Sequence, residues 1–536
     1  MTYDLKPVKA PVLKGRMLRT VAGLAEAPLI GRAVRWELLR NVGIRRLRRA
    51  EVLTVDDPLQ HWRPDLTDLW GEGLPAAGDL PLNRLAEEYR EGTRRPSDVI
   101  DELLAELEVD ASDPTGIHAT VSILNDTARV SAGESDSRFA AGTPIGPLDG
   151  IPVAIKDEMD VLGVATNVGT SFIAGITGLA DSDGTSVARL KAAGAVIFAK
   201  TTMHELGIGV FGINPHHGIV RNPRDPSRMS GGSSSGSAAI VSAGTCSLAL
   251  GADGGGSIRI PAALCGVLGL KATHGRISEH GAAPLCPSVG HIGPIGASVA
   301  DVAVGLAVMA GPDANDAYTL VQPRLDFSHL DDLDLRGVRI GVFQQWFEHA
   351  QPDVVRRCRE GLDLLVDAGA SIIDVEIPSL DEVRIAHLVT ITTEMLSSQS
   401  VWYRRNRRRY GGDTRVNLAL ASGLRPADKE KARQIRHRVI EQTCELFEGI
   451  ELLATPSTAC TAPPIPDGAA AAGLSDIGVL SELMRYAQLS NLTGQPSISI
   501  PVGADSNGLP VGLQLMAAPW EEILLLRCAS ILESAA

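Results

Sequence analysis

Short apolar runs alternate with helix-length amphipathic segments along the chain from about residue 140 onward. A short continuous apolar run is typical of a strand buried on both faces, whereas apolar residues three and four apart indicate a helix. Helical patterns at 186–193, 353–367 and 425–447 lie between the runs. This alternation predicts an α/β fold with a mostly parallel sheet that helices cover on both faces. The predicted strands are IPVAI (151–155), AVIFA (195–199), SLALG (247–251), RIGVF (339–343), ASIIDV (370–375), LLATP (452–456) and SISIPV (497–502).

Residues 1–80 have a different pattern and are predicted to form a helical extension and linker, followed by one large domain at 81–536. Apolar residues at helical spacing, interleaved with arginine, indicate two amphipathic helices within 12–50, separated by Pro28. Such a pair fits a membrane surface or a lid over an apolar tunnel. It fits equally well a face packed on the body or in a dimer interface. Residues 56–82 are rich in Pro, Asp and Gly, which predicts a linker.

The charge of the chain narrows the possible partners. The formal net charge is −14, which argues against general nucleic-acid binding. Residues 1–50 nevertheless hold twelve Lys and Arg against three acidic residues, an asymmetry typical of a surface-binding arm. We find no signal-peptide pattern and no apolar stretch long enough to span a bilayer. The predicted compartment is the cytoplasm, with peripheral membrane contact through residues 12–50 left open.

The cysteines and histidines do not indicate a metal site. The seven cysteines form an odd count without CxxC or His/Cys ligand spacing, so we expect them to be reduced and mostly buried. The adjacent His216 and His217 point apart, and no third ligand has suitable spacing. We therefore predict no metal.

Two Gly/Ser-rich turns stand out between residues 231 and 260, in GGSSSGSAAIVSAGTCSLALGADGGGSIRI. They flank one helix-length and one strand-length segment and place Ser233 and Ser257 24 residues apart. Glycine lets backbone N–H groups approach a ligand closely. A run of free N–H groups that ends in a serine is what an oxyanion hole beside a nucleophile requires.

Other glycine motifs in the chain lack their usual context. Residues 207–212 satisfy GxGxxG, but a helix-like MHEL segment precedes them instead of the strand that a dinucleotide site needs. Residues 232–236 satisfy GxSxG, but the preceding RNPRDPSRMS is polar, whereas a nucleophile elbow follows a buried strand. Neither Gly-rich turn ends in the GK[ST] of a phosphate-binding loop.

Lys156 directly follows IPVAI and so lies at the end of a strand predicted to be buried. Desolvation disfavours an ammonium group, and the neutral amine that remains can accept a proton. Taken alone, Lys156 fits a surface residue beside Asp157 and Glu158. Its combination with the two serine turns favours a catalytic lysine.

Lys156, Ser233 and Ser257, in this order, resemble the amidase signature family. The resemblance extends over about residues 80–530 and implies a single large α/β domain around a twisted mixed β-sheet with helices on both faces. Within the family, the basic extension, HELGIGVFGINPHHGIVRNPRDPSRMSGGSSSGS and GADGGGSIRIP are similar to plant-type fatty acid amide hydrolases. The blocks that carry the family resemblance are DGIPVAIKDEMDVLGVATNVGT, AGAVIFAKTTMHELG, RMSGGSSSGSAAIVSAGTCSLALGADGGGSIRIPAALCGVLGLKATHGR, LLATPSTACTAPP and NLTGQPSISIPVGADSNGLPVGLQLMA.

The resemblance implies a serine hydrolase without metal or cofactor. Ser257 would attack an amide carbonyl, and Ser233, in a cis peptide, would bridge Ser257 and Lys156 by hydrogen bonds. The neutral Lys156 would take the Ser257 proton through Ser233 and return it to the leaving amine, and water would then hydrolyse the acyl-enzyme. The implied oxyanion hole consists of the backbone N–H groups of Gly254, Gly255, Gly256 and Ser257.

The resemblance gives less specific roles to five neighbouring residues. The Ser234 hydroxyl would orient the relay. Asp253 and Arg259 bracket the nucleophile turn and would form an ion pair that shapes it. Met229 and Ser230 would contribute backbone that contacts the substrate.

The substrate is only weakly encoded. An acyl pocket for a fatty chain should be apolar, and its candidates lie in 384–402 and in the N-terminal helices. If residues 17–42 form an apolar lid, long-chain N-acyl amides such as N-acylethanolamines are favoured. The predicted oligomeric state is a homodimer. The alternatives are a broad-specificity amidase, esterase or carbamate hydrolase, a glutaminase subunit of a tRNA-dependent amidotransferase, and a non-catalytic protein that docks through residues 1–50.

Overall fold

Strands form at all seven predicted apolar runs, and helices form at the three predicted helical segments between them. The computed structural model describes residues 3–5, 10–28, 30–50 and 84–535. Its strands are β1 (Leu13–Lys14), β2 (Thr120–Ile123), β3 (Pro152–Lys156), β4 (Val196–Thr201), β5 (Ile213–Asn214), β6 (Gly218–Ile219), β7 (Arg221–Asn222), β8 (Asp225–Met229), β9 (Leu248–Ala252), β10 (Leu268–Lys271), β11 (Ile292–Gly296), β12 (Arg339–Val342), β13 (Ser371–Asp374), β14 (Leu452–Pro456), β15 (Leu474–Ser475), β16 (Ser497–Ala504) and β17 (Pro510–Ala517).

The helices include all three that the pattern predicts. They are α1 (Gly15–Glu26), α2 (Gly31–Asn41), α3 (Ile44–Arg49), α4 (Arg84–Glu91), α5 (Pro96–Ser112), α6 (Asn125–Ala141), α7 (Ala174–Thr177), α8 (Thr185–Ala192), α9 (Ser235–Ser242), α10 (Arg259–Cys265), α11 (Val299–Met309), α12 (Gln344–Phe347), α13 (Pro352–Asp367), α14 (Leu380–Ser398), α15 (Ser400–Asn406), α16 (Gly412–Ala421), α17 (Pro426–Gly449), α18 (Ile477–Met484), α19 (Gln488–Thr493) and α20 (Glu522–Ser534).

An 11-stranded sheet runs through the molecule in the order β13-β12-β14-β17-β16-β10-β11-β9-β3-β4-β2. Four of its pairings are parallel and six are antiparallel, so the prediction of a mostly parallel sheet is wrong and the mixed sheet is confirmed. An apolar run carries no information about strand direction. The β16–β17 pair shows the consequence, since a short turn reverses the chain there and Asp505 accepts hydrogen bonds from the N–H groups of Asn507 and Leu509.

Helices cover both faces of the sheet, as predicted. Alternate residues of a strand point to opposite faces. In β3, Val153 and Ile155 belong to one apolar core, with α11 and α20, and Ala154 belongs to another, with α9 and α10. Both faces of β3 are therefore buried against apolar side chains.

Two parallel neighbours in this sheet bring the predicted site together. β3 and β9 lie side by side with the same direction, so their carboxyl ends meet at one edge. Lys156 is the last residue of β3, and the turn that leads to Ser257 follows β9 directly. The other turn, at Ser233, leads into α9, which packs on β9.

The N-terminal extension packs on the body of the molecule. Leu18 of α1 is fully buried against Gly412 and Val416 of α16. The Arg48 guanidinium donates to both carboxylate oxygens of Asp428, at 2.7 and 2.6 Å. Pro28 lies between α1 and α2, as predicted. The predicted linker at 56–82 lies outside the described residues.

The burial of the cysteines agrees with the sequence analysis. All seven cysteines are free, and five of them are buried. Among the helices that the structure describes, none has both the length and the apolar character needed to cross a membrane.

Candidate active site

Lys156 is buried, with 1% of its surface exposed, and its amine has three partners. Nζ lies 2.9 Å from Ser233 Oγ and 3.0 Å from the Ala252 carbonyl oxygen. The third partner is Glu158, whose Oε2 lies 3.1 Å from Nζ. The first link of the predicted relay is therefore present, and a buried carboxylate accompanies it.

Ser233 and Ser257 lie at the same small cavity as Lys156. The peptide bond between Gly232 and Ser233 is cis, as the family resemblance implies. Ser257 is 6% exposed, and its carbonyl accepts the Ser234 N–H at 3.2 Å. Among the side-chain hydrogen bonds of the described residues, none joins Ser257 Oγ to Ser233 Oγ, so the second link is not formed in this conformation.

The Ser234 hydroxyl contacts the backbone of Ala252, next to the relay. It donates to the Ala252 carbonyl at 3.1 Å and lies 3.2 Å from the Ala252 N–H. The same carbonyl accepts the Lys156 amine. Ser234 therefore fixes the acceptor that helps to hold Lys156.

The glycine turn before Ser257 is packed too tightly for larger residues. A Cβ at Gly254 would lie 2.7 Å from Cys286 Sγ, and one at Gly256 would lie 2.6 Å from Ile260 Cδ1. Gly256 also has φ +113°, a conformation that L side chains rarely adopt.

The structure corrects one predicted oxyanion donor. The Gly256 N–H donates to Asp253 Oδ1 at 2.6 Å and is not free for a ligand. The N–H groups of Gly254, Gly255 and Ser257 remain as the candidate donors.

Asp253 and Arg259 form the predicted ion pair, and both are fully buried. Arg259 Nε lies 3.0 Å from Asp253 Oδ2, and Nη2 lies 3.1 Å from Oδ1. Burial by itself raises the pKa of Asp253, but the charge and hydrogen bonds of Arg259 outweigh it and hold that pKa well below its ordinary value. The remaining Arg259 donors bind Ser490, Gln514, Ala487 and Asn491.

Met229 and Ser230 do not lie where the prediction puts them. The Met229 N–H donates to the Pro463 carbonyl, and its own carbonyl accepts the Asn222 side chain. The Ser230 hydroxyl donates to the Val220 carbonyl at 2.8 Å. Neither residue lines the two cavities at Ser257, and the polar groups named here are already paired within the protein.

Ser257 also lines a larger cavity of about 370 Å³. It shares Gly207, Ser257 and Ile391 with the small cavity at Lys156. The predicted segments both contribute to its wall. From 384–402 come Arg384, His387, Leu388, Ile391 and Thr392, and from the extension come Leu13, Val21, Leu38, Asn41 and Val42.

The small cavity also contains acidic groups that the sequence analysis did not assign. Glu158 and Glu279 both line it. Burial, with the nearby carboxylates of Asp316, Glu158 and Glu394, raises the pKa of Glu279 to about 8. Glu158 follows Lys156 by two residues, and that spacing was the available signal. Glu279 and His387 carry no local signal, since distant segments bring them to the site.

No cluster of three or more His, Cys, Asp or Glu side chains within the described ranges is arranged to hold a metal ion. His216 instead contacts Glu205 at 2.7 Å, and His217 contacts the Thr170 carbonyl at 3.0 Å.

Comparison with known proteins shows the family of this chain. The family model described as Amidase matches residues 104–526. A fatty acid amide hydrolase of Oryza sativa subsp. indica is 36% identical, over 99% of this chain and 94% of its own. A glutamyl-tRNA(Gln) amidotransferase subunit of Chloroflexus aurantiacus is 35% identical, over 78% of this chain and 89% of its own.

Solved structures show the same fold. The native peptide amidase from Stenotrophomonas maltophilia superposes with a TM-score of 0.72 at 28% identity, covering 84% of this chain and 96% of that one. The chain belongs to the amidase family and is an amide-cleaving hydrolase.

Proposed function

We propose that the protein hydrolyses long-chain N-acyl amides, such as N-acylethanolamines, through an acyl-enzyme on Ser257. The observation that carries the proposal is the buried 2.9 Å contact between Lys156 Nζ and Ser233 Oγ at the cavity that Ser257 lines. A buried amine, a hydroxyl in contact with it and a serine that follows a glycine turn are the parts that such chemistry needs.

The reaction follows from these positions. Neutral Lys156 accepts the Ser257 proton through Ser233, and Ser257 Oγ attacks the amide carbonyl. The relay then delivers a proton to the leaving nitrogen, because an amine departs poorly unless it is protonated. Catalytic hydrogen bonds are often long in free enzymes and tighten when the substrate binds, which applies to the link between Ser257 and Ser233.

Glu158 has a supporting part in this mechanism. When Lys156 takes up the proton it becomes an ammonium in a buried site, which is unfavourable without a counter-charge. The Glu158 carboxylate, 3.1 Å from Nζ, supplies that charge. Glu158 would therefore stabilise protonated Lys156 as the carboxylate of a Ser-His-Asp triad stabilises its protonated histidine.

The substrate class rests on the larger cavity. Its volume of about 370 Å³ falls within the usual range for small-molecule sites of roughly 300–1,000 Å³. Much of its wall is apolar, with Val210, Phe211, Leu388, Ile391 and Met484. An acyl chain fits this lining, and the relatives from rice and Arabidopsis thaliana carry the name fatty acid amide hydrolase.

Hydrolysis of a defined panel tests the proposal. The panel contains N-acylethanolamines of increasing chain length, an aryl amide, a fatty ester and glutamine. We expect cleavage of the long-chain amides, no activity in Ser257→Ala, and normal activity in Ser227→Ala, whose serine is exposed. A preference for acetamide or propionamide contradicts the long-chain assignment.

The same panel separates the alternatives. Glutamine as the preferred substrate favours an amidotransferase subunit, and faster turnover of the ester favours an esterase. The family membership argues against the last alternative, a non-catalytic docking protein. Acyl-enzyme trapped on Ser257 and identified by mass spectrometry tests the nucleophile directly.

Peripheral membrane contact and a homodimer stay predictions. Membrane contact is supported by Met17, Leu24 and Ile30 of the extension, which are 50%, 41% and 58% exposed. Co-sedimentation with anionic vesicles is expected for the native chain and is expected to weaken in Ile30→Glu. Sedimentation velocity decides the oligomeric state.

A further inference from the structure

His387 of α14 makes a direct contact with the glycine turn that precedes Ser257. Its Nε2 lies 2.7 Å from the Gly254 carbonyl oxygen. The ring also packs on the next residue, since a Cβ at Gly255 would lie 2.8 Å from His387 Cε1. The side chain is 1% exposed, so water does not compete for this contact.

The imidazole of His387 is neutral and donates through Nε2. Burial lowers the pKa of His387 to about 4. A neutral imidazole has one N–H, and the carbonyl opposite Nε2 can only accept a hydrogen bond. The proton therefore sits on Nε2, and the buried Nδ1 has no hydrogen-bond partner among the described residues.

The turn needs such an anchor because three consecutive glycines have little conformational preference of their own. At its carboxyl end, the Gly256 N–H is held by Asp253 Oδ1 at 2.6 Å. At its start, the Asp253 carbonyl accepts the Asn491 side chain at 2.9 Å. Between these points, His387 holds the carbonyl of the peptide that joins Gly254 and Gly255.

A peptide group is planar and trans, so its C=O and N–H point in opposite directions. Holding the Gly254 carbonyl on His387 therefore directs the Gly255 N–H away from α14. If this peptide turned over, a carbonyl oxygen would replace that donor and repel a developing negative charge.

We propose that His387 is a positioning residue that fixes the peptide between Gly254 and Gly255, so that the Gly255 N–H serves the oxyanion formed at Ser257. This inference rests on the proposed acyl-enzyme mechanism. His387 acts through the peptide and does not touch the reacting atoms.

The test compares two substitutions at this position. His387→Gln keeps an N–H donor at nearly the same distance from Cβ, whereas His387→Leu removes the donor at similar size. We expect kcat to fall roughly 100-fold in His387→Leu, as for loss of an oxyanion donor, with most activity kept in His387→Gln. KM should change by less than about threefold, because the affected interaction is made in the transition state.

A second measurement distinguishes positioning from general damage. A long-chain trifluoromethyl ketone forms a tetrahedral adduct and needs the oxyanion hole, whereas the fatty acid product does not. His387→Leu should weaken inhibition by the ketone roughly 100-fold and leave inhibition by the fatty acid unchanged. Equal weakening of both inhibitors, or equal loss in the Gln and Leu variants, overturns the proposal.

Two controls keep the result interpretable. If His387→Leu does not fold, His387→Asn replaces it, because its amide nitrogen falls near the Nδ1 position and misses the carbonyl. The Ser257→Ala variant is assayed in parallel. Full activity in Ser257→Ala refutes the acyl-enzyme mechanism itself, while an inactive Ser257→Ala together with an unaffected His387→Leu refutes only the role of His387.

Discussion

Two buried basic residues near Ser257 are each matched to a carboxylate. Lys156 pairs with Glu158, and Arg259 pairs with Asp253. A buried charge is expensive without a counter-charge, which Asp253 supplies to Arg259 and Glu158 supplies to Lys156 once that amine is protonated. The two pairs differ in their surroundings, because both members of the first line the small cavity, whereas only Asp253 of the second does and Arg259 is fully buried.

Arg259→Met leaves Asp253 as an unpaired buried carboxylate. Removing one partner of such a pair typically costs about 3–5 kcal/mol of unfolding free energy. We expect a loss of this size in urea denaturation, together with loss of amidase activity, since Asp253 also holds the Gly256 N–H.

The matched control is Arg129→Met, which breaks an exposed pair with Asp101 at 2.8 Å. Exposed pairs contribute about 0–1 kcal/mol, so the denaturation midpoint should hardly move. If Arg259→Met and Arg129→Met lose the same free energy of unfolding, the buried pair does not stabilise the fold more than the exposed one.

Glu279 makes stability depend on pH. In the unfolded chain it ionises near its ordinary pKa of 4.5, and in the folded protein near pH 8. Between these values the unfolded state has released a proton that the folded state keeps, so stability falls as pH rises through this window. Glu279→Gln cannot ionise, and its stability relative to the native chain should rise from about pH 5 to about pH 8 and then level off.

Thermal melts of both proteins across this range measure the effect. Glu108→Gln, at an exposed position of α5, is expected to follow the native chain at each pH. If the melting temperatures of Glu279→Gln and the native chain differ by the same amount at every pH, the raised pKa of Glu279 is refuted.

Among the secondary-structure elements, α14 contacts both the extension and the glycine turn before Ser257. Its Ile385 packs against Gly43, where an added Cβ would lie 2.8 Å away. Its Arg384 donates to the Val42 carbonyl at 3.2 Å. Two residues beyond Ile385 on the same helix, His387 holds the Gly254 carbonyl. The extension therefore packs against the same helix that carries His387.

Leu18→Ala tests how firmly α1 is attached. Leu18 is fully buried against α16, and Leu to Ala changes in a core typically cost about 2–5 kcal/mol. We expect faster amide hydrogen exchange throughout α1. Met17→Ala is the control, because Met17 is 50% exposed on the same helix and should leave exchange unchanged. Unchanged exchange in Leu18→Ala means that this contact does not hold the helix.

At the scale of the whole molecule, Ser257 lies between two cavities of different character. The small one contains Lys156 and the acidic residues, and the larger one is walled by α14 and the extension. Under the proposed function, the proton relay lies at the small cavity and the acyl chain occupies the larger one. The extension is then part of the substrate site as well as a packed surface element.

Val21→Asp tests this division. Val21 lines the larger cavity, and a carboxylate there has to be desolvated when an acyl chain enters. We expect kcat/KM for a long-chain N-acylethanolamine to fall at least about tenfold, with activity on a short anilide retained. Thr20→Asp, at the neighbouring exposed position, should leave both activities unchanged. A similar fall for both substrates in Val21→Asp contradicts a role in chain binding.

Patterns within single segments predicted much of the fold. The runs at β3, β9 and β14 were found because aliphatic residues crowd into buried strands whatever their neighbours. The strands β10, β11 and β17 were not predicted, and strand direction was wrong, because both depend on which distant segment pairs with them.

Some features of the site could likewise be predicted from single segments, and others could not. Lys156, Ser233 and Ser257 could be selected because strand ends and Gly/Ser turns are local features with chemical consequences. The placement of Met229 and Ser230 and the use of the Gly256 N–H could not, because they depend on which partners bind those backbone groups after folding.

The order of residues thus determined the strand and helix segments, the glycine turn before Ser257 and the family to which the chain belongs. Only the tertiary structure decided that Glu158 accompanies the lysine, that Glu279 faces the same cavity, and that His387 reaches the glycine turn across 133 positions of sequence. The physical reason is that burial and hydrogen-bond partners are properties of neighbours in space, and packing, not proximity in the chain, selects those neighbours.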